Sequence, residues 1–456
     1  MNVKSEENVT VAKHPKALYY LFATEMWERF SYYGMASLLF LYLTETVEKG
    51  GLGFETIMAG QITGIYKATV YLTPILGGYL ADKFMGKYKA IMLGAALMCL
   101  GHLALALPNM AFFYAGLVLL VFGNGFFKPN ISTMLGEIYT EKNQLHSLRD
   151  AAFTLFYIGI NLGAMLGMFA TGYLAKYYGW HYGFGIAGVA MMLGMIIFSF
   201  AKKELAKFNV NDVIESKFET ALNSKDVIDN QLLGGDELLD RKVIKDRLWF
   251  IVIMAFFTIL FWAGHEQGSS SVVLFTERFV DYSVQGNEIP VTWVQNFNPF
   301  LIIVFGLPLA AFWSYLAKRK KDPSIVAKFI WALALNGIGF VVMFYATFNW
   351  DESLKISLLP IFWLYFFHTI GELFLSPLGL GMVSEMSPAH LRSTMMGVWL
   401  FAVSLANYLG ATLAGFMDNF TKTYGYPAYF GIFIVFLTVA ALLLLLLKKR
   451  LVRMMH

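Results

Sequence analysis

The chain has 456 residues, of which 57% are hydrophobic and 17% aromatic, whereas only 14% are charged. Soluble globular domains carry about a quarter charged residues, so the composition excludes a soluble protein and indicates a polytopic membrane protein in a lipid bilayer. The formal net charge of +4 comes from basic residues in particular loops, which indicates membrane topology and makes nucleic-acid binding a remote alternative.

Long apolar runs occur throughout the chain. A helix needs about 20 mainly apolar residues to cross a bilayer, and twelve such runs leave no room for a soluble domain. We therefore predict an all-α membrane protein with twelve transmembrane helices. The predicted spans are 17–43, 56–81, 88–106, 109–134, 151–175, 181–200, 248–276, 295–317, 324–348, 355–383, 392–416 and 427–447.

Basic residues are concentrated in alternate connections. Lys83 and Lys87 follow the second span, "KRKK" (318–321) follows the eighth, and Lys448 and Arg450 follow the twelfth. The connections after odd-numbered spans are poorer in lysine and arginine. By the positive-inside rule, we expect both termini to be cytoplasmic. We expect no cleaved signal, because the basic N-terminal segment leads into a span longer than a signal-peptide core.

The longest polar stretch, residues 201–247, separates six predicted spans from the other six. We expect it to be a cytoplasmic linker between an N-terminal six-helix bundle (1–200) and a C-terminal six-helix bundle (248–456). Spans 2 and 8 end in weakly similar ways, with "YLTPILGGYLADK" (71–83) and "FGLPLAAFWSYLAKRKK" (305–321). This pattern resembles the internal repeat of major facilitator transporters, which bind substrate between two halves; chance similarity is the alternative.

The first span contains the charged motif "EMWERFSYYG". A charge at the centre of a span costs about 2.5 to 3.5 kcal/mol, so Glu25, Glu28 and Arg29 facing lipid would cost on the order of 8 kcal/mol. At 100° per residue these side chains share one helical face with Tyr32 and Tyr33, and Glu25 and Arg29 are i, i+4 partners. The motif therefore predicts the wall of a polar cavity.

Later spans add isolated polar and charged residues at similar depth. Because these residues come from both halves, we expect them to converge on one central chamber. They are Lys67, Tyr71, Lys128, Asn161, Trp262, Glu266, Asn298, Glu372 and Trp399.

Together with the first-span motif, this set contains four acids and three bases. The acids are Glu25, Glu28, Glu266 and Glu372, and the bases are Arg29, Lys67 and Lys128. One carboxylate therefore lacks a fixed basic partner, and in a low-dielectric chamber such a group takes up a proton. We expect reversible proton binding, without assigning it to one acid, because several acids can exchange the role.

Each of these residues also has a purely structural interpretation. Buried ion pairs can join helices without transport, and the aromatic residues can be packing or interfacial groups. His265, beside Glu266, and His368, one turn before Glu372, are either proton relays or hydrogen-bonded histidines at helix interfaces. Acids and bases in five spans are harder to explain by structure alone.

Metal and cofactor chemistry is not expected. Cys99 is the single cysteine, which excludes a disulfide within the chain and disfavours a structural zinc site. The pattern also contains no nucleophile–base pair or metal cluster, so we expect no catalytic residues, no metal site and no cofactor.

The connection after the second span is "GGYLADKFMGKYK" (77–89). Its Gly-Gly-x-Leu-Ala-Asp-basic pattern resembles the loop that steadies one state of the transport cycle in the major facilitator superfamily. Gly77 and Gly78 permit close helix packing, and Asp82 can pair with a neighbouring base or helix end.

Three collinear motifs resemble those of the proton-coupled oligopeptide transporters (POT or PTR family). "EMWERFSYYG" (25–34) is similar to E-x-x-E-R-F-x-Y-Y-G, and "FYIGINLG" (156–163) to F-Y-x-x-x-N-x-G. "GELFLSPLGL" (371–380) and "MMGVWLF" (395–401) resemble spans 10 and 11 of the family. The resemblance covers essentially the whole chain and implies a major facilitator fold and proton-coupled import of di- and tripeptides by alternating access.

The resemblance also implies individual roles. Arg29 and Lys128 would hold the C-terminal carboxylate of a peptide, and Glu372 its N-terminal ammonium. The remaining peptide-binding residues would be Tyr32, Tyr33, Tyr71, Asn161, Trp262, Asn298 and Trp399. Proton coupling would involve Glu25, Glu28, Arg29 and Glu266, and gating would involve Lys67, Asp82, Lys128, Glu266 and Glu372.

Two features depart from the family pattern. Ala36 occupies the position of an arginine that commonly pairs with the acid of span 7, so we predict that Lys67 pairs with Glu266 instead. Residues 201–247 also contain no apolar runs for the two extra helices of many bacterial members. We therefore expect twelve spans.

Other functions remain as alternatives. Within transporters, the substrate could be another anionic or zwitterionic solute, such as nitrate or an amino-acid conjugate. A membrane enzyme or receptor is disfavoured because paired halves suit alternating access and no output domain is present. We expect a bacterial cytoplasmic membrane location and function as a monomer.

Overall fold

The computed structural model describes residues 13–140, 145–208, 241–388 and 391–455, and most of them are helical. Thirteen α-helices lie within these ranges. They are α1 (Lys16–Thr44), α2 (Thr56–Leu80), α3 (Lys87–Leu105), α4 (Met110–Ile138), α5 (Arg149–Tyr178), α6 (Trp180–Leu205), α7 (Arg241–His265), α8 (Ser271–Phe279), α9 (Phe297–Lys318), α10 (Ile325–Thr347), α11 (Leu359–Met386), α12 (Arg392–Gly415) and α13 (Met417–Met454).

Four two-residue strands lie at the face opposite the start of α1. β1 (Val280–Asp281) pairs in parallel with β4 (Ile356–Ser357). β2 (Ser283–Val284) and β3 (Asn287–Glu288) form an antiparallel hairpin. Gln285 and Gly286 at its tip both have positive φ angles, 52° and 80°, as two-residue hairpin turns require.

The helices agree with eleven predicted spans as single elements, and the seventh span is divided. α7 ends at His265, a 3-10 turn covers Glu266–Ser269, and α8 continues beyond it. The apolar run continues through this stretch and no proline interrupts it, so the sequence predicted one continuous helix here. The twelfth span is the part of α13 beyond Gly425, whose φ of 78° interrupts the helix.

Within the part of the chain that the structure describes, ten helical stretches have the length and hydropathy of membrane spans. The two long helices outside that group are α1 and α2, whose middles carry the charged and polar side chains discussed above. Their polarity is tolerated because it faces other helices, as the burial of Glu28 and Lys67 indicates.

Helices extend into both ends of the predicted linker 201–247. α6 continues to Leu205, a short turn reaches Phe208, and α7 begins at Arg241. The remainder of the linker, 209–240, lies outside the described residues. The boundaries 1–200 and 248–456 therefore stay a prediction for the two bundles.

Helices pack mainly within two groups. In the first, α1 lies against α5 and α6, and α3 against α4; in the second, α10 lies against α11 and α13, and α7 against α12. Gly163 and Gly167 of α5 bring α1 close, since a Cβ at either position would collide with the carbonyl oxygens of Met26 and Phe30.

The two groups contact one another through α2 and α12, and through α5 and α9. Hydrogen bonds join them at the face opposite the start of α1. Lys176 Nζ donates to the carbonyl oxygen of Glu288 at 2.7 Å, Trp293 Nε1 to that of Phe169 at 3.0 Å, and Gln295 Nε2 to that of Ser37 at 3.2 Å.

Glycines allow the backbones of α2 and α12 to approach. A Cβ at Gly60 would lie 2.6 Å from the carbonyl oxygen of Ala411 and 2.8 Å from Cα of Gly415. Close packing of small residues is the usual way in which membrane helices associate, because lipid provides no hydrophobic driving force between them.

Gly60→Val should weaken this contact, because the added side chain meets backbone atoms that cannot move independently. Overpacking of this kind costs about 1 to 3 kcal/mol, so we expect a lower melting temperature in thermal unfolding of the detergent-purified protein. Gly306→Val on α9 is the matched control, since nothing lies within 4 Å of a Cβ there. Equal melting temperatures for both variants would contradict the interpretation.

Candidate functional site

A cavity lies between the two helix groups and contains about 1140 Å³ of space not occupied by atoms. This volume includes solvent at the open side of the cavity. The first group contributes five of the predicted site residues to its wall: Tyr32, Tyr33, Lys67, Tyr71 and Asn161. The second contributes four: Trp262, Glu266, Asn298 and Glu372.

The charged motif of α1 is buried beside this cavity. Nε of Arg29 lies 2.9 Å from Oε1 of Glu25 and also contacts Glu28, and Asn124 Nδ2 lies 3.4 Å from Glu28 Oε1. All three charged residues are at most 3% exposed. Arg29 therefore compensates two carboxylates, and removing it would leave both without a cation, which is strongly unfavourable for buried charges.

Arg29 and Lys128 lie one layer behind the cavity wall. Nζ of Lys128 is 4.5 Å from the ring centroid of Tyr71, and Cζ of Arg29 is 5.5 Å from that of Tyr32. Both distances suit cation–π attraction. We expected Arg29 and Lys128 to line the cavity. In the described structure, Tyr32 and Tyr71 line it instead, each in front of one of these cations.

Lys67 and Glu266 form an ion pair across the two groups. Nζ of Lys67 lies 2.5 Å from Oε2 of Glu266, and Ser269 Oγ lies 2.8 Å from the same nitrogen. The pairing expected from the replacement of arginine by Ala36 is therefore present. Ala36 itself lines the cavity nearby.

The break between α7 and α8 is held by Gln267. Its Nε2 donates to the carbonyl oxygens of Ala263 and Gly410 at 3.0 and 2.8 Å. Its Oε1 accepts hydrogen bonds from Ser271 and Tyr429 at 2.6 and 3.2 Å. Irregular backbone inside a membrane protein needs such partners, and they fix Glu266 at the cavity.

Glu372 finds its partners within the second group. Its Oε2 accepts a hydrogen bond from Asn298 Nδ2 at 2.8 Å and lies 3.3 Å from His265 Nε2. Asn298 also lies 3.0 Å from Thr369 Oγ1. No ion pair joins Lys128 to Glu372 in the part of the chain that the structure describes, so a pairing of these two residues stays a proposal for another conformation.

Asp82 and Trp399 are also absent from the described cavity wall, like Glu25, Glu28, Arg29 and Lys128. Asp82 is in a π-helical turn (Ala81–Met85), and its Oδ1 lies 3.6 Å from Lys87 Nζ, so it does pair with a neighbouring base. Trp399 is buried against α11, where a Cβ on Gly379 would lie 2.5 Å from its ring. Sequence spacing placed Trp399 at the right depth but could not specify which side of α12 it occupies.

Sequence analysis missed several lining residues, including Tyr157, Gln295 and Asn407. Tyr157 precedes Asn161 by one helical turn in the same motif, and its carbonyl oxygen accepts a hydrogen bond from the Asn161 side chain. The i, i+4 spacing would have identified it. Gln295 belongs to a 3-10 turn (Val291–Asn296), for which the sequence contains no signal.

Known transporters are similar to this protein over nearly the whole chain. The POT family model matches residues 88–225 and 240–433. The chain is 34% identical to the uncharacterized transporter YclF of Bacillus subtilis, with 95% of this chain and 94% of that protein covered. It is also 34% identical to the peptide transporter YePEPT of Yersinia enterocolitica, at 97% and 96% coverage.

Solved structures are similar at the level of the fold. A crystal structure of a mutant peptide transporter POT in complex with alafosfalin superimposes with a TM-score of 0.85 at 31% identity, covering 97% of this chain and 96% of that one. A POT family transporter in complex with a thioalcohol-conjugated peptide gives 0.83 at 26% identity, covering 96% and 97%. The protein thus belongs to the POT family, a family of transporters rather than enzymes, and has its major facilitator fold.

Proposed function

We propose that the protein is a symporter that imports di- and tripeptides together with protons, by alternating access between its two helix groups. The observation that carries this proposal is the cavity between the groups, with the anion Glu372 on one side and the cations Arg29 and Lys128 behind the other. A relative from Lactococcus lactis, 28% identical over 97% of this chain and 96% of that protein, is named a di-/tripeptide transporter.

This arrangement suits a peptide because every di- or tripeptide has one ammonium and one carboxylate at limited separation. Glu372 would bind the ammonium, with Asn161 and Asn298 near the peptide ends and backbone. The carboxylate would draw Lys128 and Arg29 toward the cavity, past Tyr71 and Tyr32. For Lys128 this exchange is favourable because a charge-assisted hydrogen bond is stronger than its cation–π contact with Tyr71. Arg29 would also have to leave Glu25 and Glu28, so its movement would require proton uptake by those acids.

The same charges argue against a simple anion. Nitrate would meet Glu372 in the cavity without bringing a cation to compensate it. An amino-acid conjugate keeps both terminal charges and is the more reasonable alternative, but no feature of the described residues favours it over a peptide.

Proton coupling would use the buried acids. Opening the face at which Lys176 and Gln295 join the two groups requires Lys67 and Glu266 to separate. An unpaired carboxylate in that environment is expected to take up a proton, and the ion pair would form again when the proton leaves. Glu25 and Glu28 would respond in the same way whenever the peptide carboxylate engages Arg29.

We further propose the membrane orientation and setting. Both termini would be cytoplasmic in a bacterial inner membrane, with the hydrogen-bonded face toward the outside and the described conformation closed on that side. The transporter would use no cofactor and would work as a monomer of two bundles, 1–200 and 248–456.

The direct test is uptake of labelled dialanine by proteoliposomes. An inward-acid gradient should produce accumulation against the peptide gradient, whereas Glu25→Gln should abolish accumulation because a proton-binding carboxylate is lost. Liposomes without a pH gradient are the control. Binding of dialanine without accumulation by the wild-type protein would contradict the proposal.

Glu372→Gln should weaken peptide affinity by about 10- to 100-fold, since a hydrogen bond to a charged group contributes roughly 1.5 to 3 kcal/mol. The Michaelis constant for dialanine in counterflow exchange is the measurement. Glu385→Gln, the same change at an exposed position of α11, is the matched control. A similar constant for both variants would exclude Glu372 as the ammonium site.

The role of the Lys67–Glu266 pair can be separated from its contribution to stability. Lys67→Met alone should reduce stability by about 3 to 5 kcal/mol, because it leaves a buried carboxylate unpaired. Lys67→Met combined with Glu266→Gln should restore stability and counterflow exchange but not proton-driven accumulation. The proposed role fails if Lys67→Ala leaves proton-driven uptake and its pH profile unchanged.

A further inference from the structure

The sequence singled out His265, and the proposed function does not use it. It is the last residue of α7 before the helix break, and it lines the cavity beside Glu372. Its Nε2 is buried, lies 3.3 Å from Oε2 of Glu372 and has no hydrogen bond of good geometry to any described residue. The imidazole is therefore directed at the carboxylate that would hold the peptide ammonium.

The ring is held in this position by other aromatic groups. It stacks on Phe261 at a centroid distance of 5.8 Å, meets Trp262 edge to face at 5.0 Å and lies 5.7 Å from His368. Packing against these rings thus holds the imidazole beside Glu372.

The charged and titratable groups around His265 come from four helices and the turn after α7. Among the described lining residues, the acids are Glu266 and Glu372, and the ammonium is Lys67, which is already paired with Glu266 at 2.5 Å. Lys128 and Arg29 lie behind the wall, against Tyr71 and Tyr32. The remaining titratable groups among the described lining residues are His368, Tyr32, Tyr33, Tyr71, Tyr157 and Tyr365. Glu372 therefore has no lysine or arginine partner among the described residues, and His265 is the group within ion-pair distance that can become cationic.

The charges of the ligand determine whether Glu372 has a cationic partner. A free peptide is a zwitterion, and its ammonium neutralises Glu372. An N-acylated peptide has the same carboxylate and no ammonium, so it would leave Glu372 as an uncompensated buried charge, which is costly. Histidine is the side chain that ordinarily gains a positive charge between about pH 5 and 8.

We propose that protonated His265 replaces the substrate ammonium at Glu372 and so allows the cavity to bind N-acylated peptides together with one additional proton. This inference rests on the proposed peptide-transport function. The proton comes from water in the cavity and is held on the imidazole, no covalent bond forms or breaks, and the occupied cavity has the same net charge with either substrate. Free peptides instead favour neutral His265, because an imidazolium competes with their ammonium for Glu372.

The ratio of two dissociation constants tests the proposal in the full-length, detergent-purified protein. Binding of N-acetyl-dialanine and of dialanine is measured between about pH 7.5 and about pH 5. Other acids that titrate affect both ligands, so their effects largely cancel in the ratio. We expect the ratio, N-acetyl-dialanine over dialanine, to fall on acidification by up to about tenfold per pH unit, as linkage to one proton requires.

His265→Asn keeps an N–H donor but cannot become cationic, so its ratio should be independent of pH. His368→Asn is the matched control on the neighbouring histidine, and its ratio should fall as in the wild type. A constant ratio in the wild type, an unchanged slope in His265→Asn, or a constant ratio in His368→Asn would each overturn the assignment.

A measurement on the wild type alone avoids dependence on variants that fail to fold. Calorimetric titrations in two buffers of different ionisation enthalpy give the number of protons taken up on binding. Near pH 7, binding of N-acetyl-dialanine should be accompanied by the uptake of as much as one proton more than binding of dialanine. Equal proton uptake would overturn the inference. Failure of the wild type to bind or accumulate dialanine at any pH is a different result, which overturns the proposed function itself.

Discussion

The placement of ionised groups inside a low-dielectric interior constrains the rest of this structure. Each buried charge needs a partner, because an uncompensated one costs several kcal/mol. Glu25 and Glu28 share Arg29, Glu266 has Lys67, and Glu372 depends on Asn298 and His265. The helices that provide these groups must therefore meet at one place. Some of these partnerships, such as Lys67–Glu266, join the two helix groups, and others lie within one group. Alternating access would break the first kind and leave the second kind intact.

Much of the fold was predictable because bilayer thickness sets helix length and because loops carry the topology signal. The predicted span 17–43 and the observed α1 (Lys16–Thr44) differ by one residue at each end. The break after His265 was not predictable, since it depends on tertiary hydrogen bonds that Gln267 donates to the Gly410 carbonyl and accepts from Tyr429. Helix ends beyond the bilayer, such as Leu205, were underestimated because charged residues in a final turn resemble a linker.

Many residues of the candidate site were predictable from the sequence, but the directions of several of their side chains were not. Helical periodicity placed Tyr32 and Tyr33 correctly, and the absence of the family arginine at Ala36 correctly indicated a Lys67–Glu266 pair. Side-chain direction was the missing information: Lys128 lies over the Tyr71 ring, and Trp399 packs on Gly379. His265 shows the opposite case, because its sequence neighbour is Glu266 while its closest spatial acid is Glu372.

The interruption of the seventh span also creates an electrostatic asymmetry. A helix that ends inside the protein carries a partial negative charge of roughly half an electron at its C-terminus, from carbonyl groups without intrahelical donors. α7 ends at His265, so its terminal dipole adds to the negative potential of Glu266 and Glu372. The ammonium of Lys67 is attracted by all three. The site around Lys67 therefore keeps part of its negative potential even when Glu266 is neutral.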